Sequence, residues 1–296
     1  MSKKIVLQFI ISLIALGFAI APGVNAQDAT AVEGKYASVN GVDMYYEVHG
    51  TGDPIILLHG GLGGIIEYAQ IIPELAKTRQ VIAVELQGHG HTADIDRPFS
   101  YESMADDIAA LIGQLGYKQV DIMGYSLGGG VALQTVIRHP DVIRKAVFIS
   151  TAYKRADIHA EFLAGMDAMS AAAADSMQQT PMYQYYSSVA PKLENWPTLV
   201  GKSGDLLRQD YDWTDAVKKI TTPTLIVAGD NDFISPAHAE EMYELLGGAV
   251  AGGMVAPVQN QLAILPNTIH FTILSRTDLL LPIITPFLDA PAPAAS

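Results

Sequence analysis

The sequence predicts an α/β fold, in which a mostly parallel β-sheet is covered by helices on both faces. Short, wholly apolar runs such as residues 54–59 have the length and composition of strands that are buried on both sides. Segments with helical spacing separate these runs, and residues 101–115 are the clearest, with apolar side chains along one face. Strands that alternate with helices are typical of a parallel sheet with helices on both faces.

The elements follow one another in a regular order along the chain of 296 residues. Residues 36–46 are predicted to form a hairpin around Asn40-Gly41, a dipeptide that favours tight turns between strands. Ser100 is the expected N-cap of the helix at 101–115. Further strands are predicted at 54–59, 80–86, 119–125, 145–150, 223–229 and 261–266, and further helical segments at 65–77 and 129–139.

The N-terminal segment has the pattern of a secretory signal peptide. Lys3 and Lys4 precede an apolar run at 5–20, and small residues lead up to Ala26. A membrane-spanning helix needs about 20 apolar residues, so we expect residues 1–26 to be cleaved after Ala26 and not to be kept as an anchor. The mature protein is therefore expected to be secreted or periplasmic, without stable insertion in a membrane.

Composition excludes several classes of function. The formal net charge is −13 at pH 7, which argues against nucleic acid and anionic membrane surfaces as partners. The sequence has no cysteine, and this excludes disulfides, thiolate catalysis and cysteine-ligated zinc. Pairs of acids such as Asp106-Asp107 are interpreted as helix surfaces that face solvent.

Residues 153–220 interrupt the alternation because they contain no strand pattern. They are rich in Ala, Met, Tyr and Trp, and we interpret them as a mostly helical lid over the carboxyl ends of the strands, with an adaptable apolar wall. An ordinary pair of core helices is the alternative. The lid would divide the α/β core into residues 27–152 and 221–288, and the low-complexity tail at 289–296 is expected to be disordered.

The pentapeptide Gly124-Tyr125-Ser126-Leu127-Gly128 is the strongest sequence signal of a catalytic site. It lies between a predicted strand and a predicted helix, where a sharp turn exposes a nucleophilic serine. Glycines two residues before and after the serine leave room for neighbouring backbone, and the helix N-terminus favours developing negative charge. We therefore predict that Ser126 is a nucleophile.

A serine nucleophile needs a base, and the base needs an acid that orients it; after such a turn the chain order is Ser, acid, His. Among eight histidines, only His270 follows both the acid loop and the final strand, so we predict it as the base. Asp230 and Asp232 follow the strand at 223–229, and both are candidates for the acid. Asp230 could instead hold its own turn, whereas Asp232 projects further from the sheet.

Backbone amides are expected to stabilise the tetrahedral intermediate. One belongs to Leu127, directly after the nucleophile, and the other is expected in the glycine-rich stretch at 59–64. We choose Gly61, with Leu62 as second choice, because glycine amides turn inward without a side chain that blocks substrate. The stretch lacks the residues of a phosphate-binding loop and the chain lacks metal-binding spacings, so neither a cofactor nor a metal is expected.

Together these motifs resemble the α/β-hydrolase superfamily, in particular its lid-bearing serine esterases and cofactor-free perhydrolases. The resemblance covers about residues 36–288 and implies an eight-stranded sheet with a lid between strands six and seven. It also implies Asp232 as the acid, because the second acid of Gly-Asp-x-Asp is usually the triad member. It rests on His59-Gly60-Gly61, the segment from Glu85 to Thr92, the serine turn, Gly229-Asp230-Asn231-Asp232 and His270.

The chain departs from the family pattern at Glu85, Gln87 and Thr92, and Ile269 precedes the histidine where the family usually has glycine. Epoxide hydrolases and haloalkane dehalogenases carry aspartate at the position of Ser126, which argues against both activities. We therefore expect an exported serine hydrolase that cleaves small-molecule carboxylic esters. The same triad could act on amide, lactone or C–C bonds or as a perhydrolase, and a non-catalytic receptor is the third alternative.

Overall fold

The computed structural model describes residues 33–248 and 259–291. The predicted signal peptide at 1–26 and residues 292–296 of the predicted tail lie outside these ranges. Within them, no helix combines the length and the apolar character that crossing a bilayer requires.

Eight strands form one mostly parallel sheet, as predicted. The strands are β1 Lys35–Val39, β2 Val42–His49, β3 Asp53–Leu58, β4 Arg79–Val84, β5 Val120–Tyr125, β6 Ile143–Ile149, β7 Thr224–Asn231 and β8 Gln261–Ile269. Their order across the sheet is β1-β2-β4-β3-β5-β6-β7-β8. The pairs β1–β2 and β2–β4 are antiparallel, and all the later pairs are parallel.

Nine α-helices of very different lengths connect the strands in the described ranges. They are α1 Ile72–Leu75, α2 Tyr101–Gln114, α3 Leu127–Arg138, α4 Ala160–Ala168, α5 Pro181–Val189, α6 Trp196–Leu207, α7 Thr214–Val217, α8 Pro236–Leu245 and α9 Thr277–Asp289. Six 3₁₀ turns lie at Ile65–Tyr68, Pro140–Val142, Arg155–Asp157, Ala171–Met177, Leu193–Asn195 and His270–Ser275. The predicted helical segment at 65–77 is therefore one 3₁₀ turn followed by one short helix.

Local sequence signals account for the turns that bound these elements. Asn40 and Gly41 take φ values of 47° and 86° between β1 and β2, which is the left-handed geometry of a tight hairpin. The Ser100 hydroxyl accepts the Ser103 amide at 3.1 Å and caps α2 as predicted.

Two hydrophobic cores cover the two faces of the sheet. Successive side chains of a strand point to opposite faces, so Ile56 and Leu58 of β3 join one core while Ile55 and Leu57 join the other. Helices α2, α3 and α8 pack on the first face, and α1 and α9 pack on the second. Burial on both sides explains why the parallel strands are apolar throughout.

Two expectations about surfaces are wrong. Asp107 is fully buried, because its carboxylate accepts hydrogen bonds from Asn40 at 3.0 Å and from Arg97 at 3.1 Å. In the insertion, Trp196 and Tyr186 are buried against each other with ring centroids 5.3 Å apart, and the Trp196 indole donates to the Ala174 carbonyl. Trp196 and Tyr186 therefore belong to a core within the insertion and not to a wall open to ligand, whereas other aromatic side chains such as Phe162 are half-buried.

Candidate active site

Ser126 occupies a strained turn between β5 and α3. Its φ and ψ are 53° and −117°, a left-handed conformation that is costly for a residue with a side chain. A Cβ on Gly124 would collide with the Gly128 carbonyl, and one on Gly128 would collide with the carbonyl of Leu58. The two glycines therefore allow the close backbone approach that this turn requires, and α3 begins directly after the serine, two residues earlier than expected.

His270 links Ser126 to Asp232 by two hydrogen bonds. The imidazole Nε2 lies 3.0 Å from the Ser126 Oγ, and Nδ1 lies 2.8 Å from the Asp232 Oδ1. A carboxylate at Nδ1 favours the tautomer with its proton on that nitrogen, which leaves Nε2 free to accept the serine proton. The structure thus brings the three predicted residues together in the geometry of a catalytic triad.

Asp232 is held in place by several donors besides His270. Its side chain is fully buried and accepts the amides of Gly229 at 3.1 Å and Phe233 at 2.7 Å, and also the Ser150 hydroxyl. Burial alone would raise the pKa of Asp232, but the charge and hydrogen bond of His270, with the Ser150 and Gly229 donors, hold this pKa below its usual value. The carboxylate is therefore ionised at neutral pH.

Asp230, the alternative acid, lies in a different place. Its carboxylate is exposed and accepts the backbone amides of Asn267 and Thr268, each at 2.9 Å. It braces the end of β8, where Asn267 takes a φ of 50°, and it also bonds its own backbone amide and the Asn231 side chain within its turn. The structure pairs His270 with Asp232 and not with Asp230.

The glycine-rich loop after β3 lies beside the amide of Leu127. The amide of Gly63 donates to the Gly60 carbonyl at 3.2 Å and closes a tight turn, while the Gly128 amide binds the His59 carbonyl at 3.0 Å. A Cβ placed on Gly61 would lie 3.7 Å from the Cβ of Leu127. Within the described chain, the amides of Leu127, Gly61 and Leu62 have no hydrogen-bond acceptor, so they are available to an oxyanion.

The histidines of the neighbouring loops are committed elsewhere. The His59 ring lies 2.7 Å from the Gly60 carbonyl and accepts the Leu86 amide at 3.1 Å, so it ties two loops together. Burial lowers the pKa of His59, and burial with the nearby His59 lowers the pKa of His89 to about 3. His91 binds Glu85 at 2.9 Å. These rings are not alternatives to His270 as the base.

Aromatic side chains surround the His270 ring. Tyr125, Phe233 and Phe271 have ring centroids 4.6 to 5.2 Å from it. Phe162 of α4 adds a fourth ring at 6.3 Å, and the His159 amide next to α4 donates to the Phe233 carbonyl at 3.0 Å. The insertion is therefore in contact with the loop that carries the acid, and the immediate surroundings of the imidazole are apolar.

A family model described as the alpha/beta hydrolase fold matches residues 53–178, which include the glycine-rich loop and Ser126. The chain has the α/β-hydrolase fold. A carboxylesterase, CesB from Bacillus subtilis, has a similar solved structure with a TM-score of 0.69 and 17% identity over 97% of this chain and 98% of that one. At this identity the likeness supports the fold alone.

The names of this chain's curated relatives give several different activities. A 2-hydroxymuconate semialdehyde hydrolase of a Pseudomonas species is 31% identical over 43% of this chain and 47% of its own length. A soluble epoxide hydrolase of a Corynebacterium species is 33% identical over 40% of this chain and 41% of its own length. The chain thus spans less than half of these two relatives. The mouse serine hydrolase BPHL is 28% identical over 74% of this chain and 78% of its length.

Two other features of the structure do not include Ser126. Ligand atoms of Asp157, His238 and Glu241 lie within 4.8 Å of one another, as in a metal site. The ammonium of Lys154 already binds Asp157 at 3.0 Å and Glu241 at 3.1 Å, so a side-chain cation pairs with both carboxylates of the cluster. A cavity of about 910 Å³ lies between α3 and α7 and includes Trp213 in its lining. No triad residue lines it.

Proposed function

We propose that the protein is a serine hydrolase that cleaves carboxylic esters. The chain of hydrogen bonds from Ser126 through His270 to the buried Asp232 carries this proposal. A serine hydroxyl alone is a poor nucleophile, and this arrangement supplies the base and the acid that orients it.

In the proposed reaction, the Ser126 Oγ attacks the acyl carbon while His270 Nε2 takes its proton. The amides of Leu127 and Gly61 donate to the oxyanion of the tetrahedral intermediate, and the charge of Asp232 stabilises the imidazolium. His270 then returns the proton to the leaving alcohol, and an acyl group remains on Ser126. Water, deprotonated by the same imidazole, attacks this acyl-enzyme and releases the acid.

The surroundings of the site favour an uncharged, apolar substrate. The rings of Phe162 and Phe233 near His270 offer apolar contact area. The half-buried cations of the insertion are already paired with carboxylates of the protein: Lys154 with Asp157, Arg155 with Asp167, and Lys202 with Asp94. A substrate carboxylate would therefore be desolvated without a matching cation from these side chains.

A second reaction class stays open because the triad alone does not select the bond that is broken. The names of relatives include a hydrolase of a hexa-2,4-dienoic acid, an enol-lactonase and a proline iminopeptidase. Because the half-buried cations of the insertion are already paired, a neutral ester is favoured over a substrate that carries a carboxylate, such as a dienoic acid. A receptor without turnover is the candidate from another class, and the intact hydrogen-bond chain at Ser126 weighs against it.

The decisive test compares the wild type with Ser126→Ala on p-nitrophenyl butyrate. We expect kcat/KM to fall by about 10⁴-fold or more in the variant, because no other group supplies the nucleophile. Turnover of the ester by Ser126→Ala at the wild-type rate would overturn the proposal. A monosuccinate ester of the same phenol tests the charge preference, and we expect it to react at least about tenfold more slowly, since an unpaired buried carboxylate costs over 1.4 kcal/mol.

Export is also proposed, on the strength of the basic residues, apolar run and small residues within positions 1–26. Intact-mass measurement of protein expressed from the full sequence tests it. We expect the recovered species outside the cytoplasm to begin at Gln27. Recovery of uncleaved protein in the cytoplasm contradicts the proposal without affecting the catalytic one.

A further inference from the structure

Glu67 is a half-buried acid that lies behind the glycine-rich loop. It belongs to the 3₁₀ turn Ile65–Tyr68, and its Oε2 accepts the Gly60 amide at 2.6 Å. A Cβ placed on Gly63 would lie 2.5 Å from its carboxyl carbon, so the loop packs directly on this carboxylate. The acid therefore contacts both ends of the turn from Gly60 to Gly63.

That turn holds the amides available to the oxyanion. The Gly63 amide donates to the Gly60 carbonyl, which leaves Gly61 and Leu62 at the corner of the turn, with Gly61 beside Leu127. Leu62 takes a φ of 61°, a left-handed conformation that the surrounding structure must maintain. Any rotation of the Gly60 peptide changes the direction of the next amide along the chain, which is that of Gly61.

A purely structural role does not explain why this position is a carboxylic acid. Burial raises the pKa of Glu67 to about 7, and the Gly60 amide only partly opposes this. Among the described hydrogen bonds, the Gly60 amide is the one donor to this carboxylate. Even a half-buried carboxylate with a single donor costs stability relative to an apolar side chain of similar size.

The ring of Tyr125 connects the same region to the base. It packs on Gly60, where an added Cβ would lie 2.9 Å from the ring, and its hydroxyl donates to the His270 carbonyl at 2.9 Å. Glu67, Gly60, Tyr125 and His270 thus form a continuous set of contacts from the back of the loop to the imidazole. The carboxylate is well placed to fix the loop relative to the triad.

We propose that Glu67 is a positioning residue for oxyanion stabilisation: its carboxylate holds the turn from Gly60 to Gly63 so that the Gly61 amide points at the substrate oxygen. This inference rests on the proposed serine hydrolase function. Glu67 does not touch the substrate in this proposal, and it acts only through the loop. Its effect is therefore expected on the transition state, where the oxygen is charged, and not on the bound ester.

The test compares Glu67→Ala, Glu67→Gln and Glu67→Asp by steady-state kinetics on p-nitrophenyl butyrate. In Glu67→Ala we expect kcat to fall about 10- to 100-fold with KM changed less than about threefold, because a misdirected oxyanion donor weakens mainly the transition state. Glu67→Gln keeps an oxygen that accepts the Gly60 amide, so we expect it to recover kcat to within about fivefold of wild type. Glu67→Asp keeps the charge, but its shorter side chain places the carboxylate further from the Gly60 amide. We therefore expect a loss of kcat close to that of the alanine variant.

Glu74 provides the matched control. It is an exposed acid on α1 whose carboxylate pairs with Lys77, so Glu74→Ala removes a nearby charge without touching the loop. We expect its kcat to equal that of wild type. Wild-type kcat in both Glu67→Asp and Glu67→Ala overturns the proposal. If the alanine variant does not fold, wild-type kcat in Glu67→Asp overturns it alone.

Labelling of Ser126 by a fluorophosphonate separates this inference from the proposed function. The reagent needs an activated serine and oxyanion donors but no particular natural substrate. If the wild type does not label, the serine hydrolase proposal itself fails. If it labels, and Glu67→Ala labels at the same rate, only the role of Glu67 fails; we expect labelling of this variant to be at least about tenfold slower, as for kcat.

Discussion

Two histidine–aspartate pairs with buried imidazole rings lie in the described part of the chain, and they are nearly alike at the imidazole Nδ1. In one, His270 Nδ1 lies 2.8 Å from Asp232, and in the other, His238 Nδ1 lies 2.9 Å from Asp157. Both rings are buried and both lie against a tyrosine, with centroids 5.1 Å apart for Tyr125 and 4.4 Å apart for Tyr153.

The pairs differ in what faces the second nitrogen and in how the aspartate is used. His270 Nε2 faces the hydroxyl of Ser126 at 3.0 Å, whereas His238 Nε2 accepts the backbone amide of Tyr153 at 3.3 Å. Asp157 is also shared with Lys154, while Asp232 is fully buried. A histidine–aspartate pair is therefore not a site by itself, and the chemistry depends on a reactive group at the far nitrogen.

Alanine at each histidine should separate the two roles most strongly. We expect His270→Ala to lower kcat/KM for p-nitrophenyl butyrate by about 10⁴-fold or more, because the base is lost. We expect His238→Ala to keep kcat/KM within about threefold of wild type and to lower the free energy of unfolding by about 1–3 kcal/mol, since the Tyr153 amide and Asp157 lose a partner.

Denaturant unfolding monitored beside the kinetics makes the comparison decisive. The expected pattern is a stable, inactive His270 variant and an active, less stable His238 variant. Equal losses of activity in the two variants, at temperatures where both are folded, would show that the pairs are not functionally distinct.

Asparagine at each aspartate should again lower activity in the Asp232 pair and not in the Asp157 pair, with a smaller difference between the two variants. Asp232→Asn keeps the shape but favours the wrong imidazole tautomer, so we expect kcat to fall by about 10³- to 10⁴-fold. Asp157→Asn leaves Ser126 and its base unchanged, and we expect kcat to stay within about threefold of wild type. Asp230→Asn serves as a further control, because the described partners of Asp230 are the end of β8 and groups of its own turn, and not His270.

Wild-type kcat in Asp232→Asn would contradict the assignment of the acid. A loss of the same size in Asp230→Asn would do so as well, because the exposed acid would then matter as much as the buried one. Initial rates at saturating ester distinguish these outcomes directly.

Local patterns in the sequence predict the sheet and the grouping of Ser126, Asp232 and His270. Apolar runs identify strands because burial on both faces leaves no position for polar side chains. Chain order was enough to select His270, since the carboxyl ends of parallel strands lie at one edge of the sheet. Local patterns alone leave both Asp230 and Asp232 as candidates, because both lie at the end of β7, and the preference for Asp232 comes from the resemblance to the α/β-hydrolase superfamily. The three-dimensional path of the loop separates the two acids.

Contacts between distant residues could not be predicted in this way. Asp107 looks like a solvent-facing acid in its helix, and its burial depends on Asn40 and Arg97 from other parts of the chain. The pair of His238 and Asp157 joins α8 to the insertion across 81 positions. Glu67 likewise carries no distinguishing pattern, because its partner Gly60 is defined only by the turn after β3.

The smallest expected effect is on the pH dependence of the free energy of unfolding, and it reports on the pair of His238 and Asp157. Burial lowers the pKa of His238 below its ordinary value of 6.5, although Asp157 opposes this. The unfolded chain then binds more protons than the folded one as pH falls through 6.5, so the free energy of unfolding decreases on acidification.

The variant His238→Gln removes this titration while the other buried histidines remain. Between pH 7.5 and pH 5.5 we expect the variant to lose less unfolding free energy than wild type, by about 1 kcal/mol, as urea titrations at the two pH values would measure. Asp157 does not disturb this comparison, because its pKa is lowered below 3.8 and it stays ionised throughout the range. An equal loss in both proteins would mean that His238 binds protons equally in the folded and unfolded chain, and that its pairing with Asp157 fully offsets its burial.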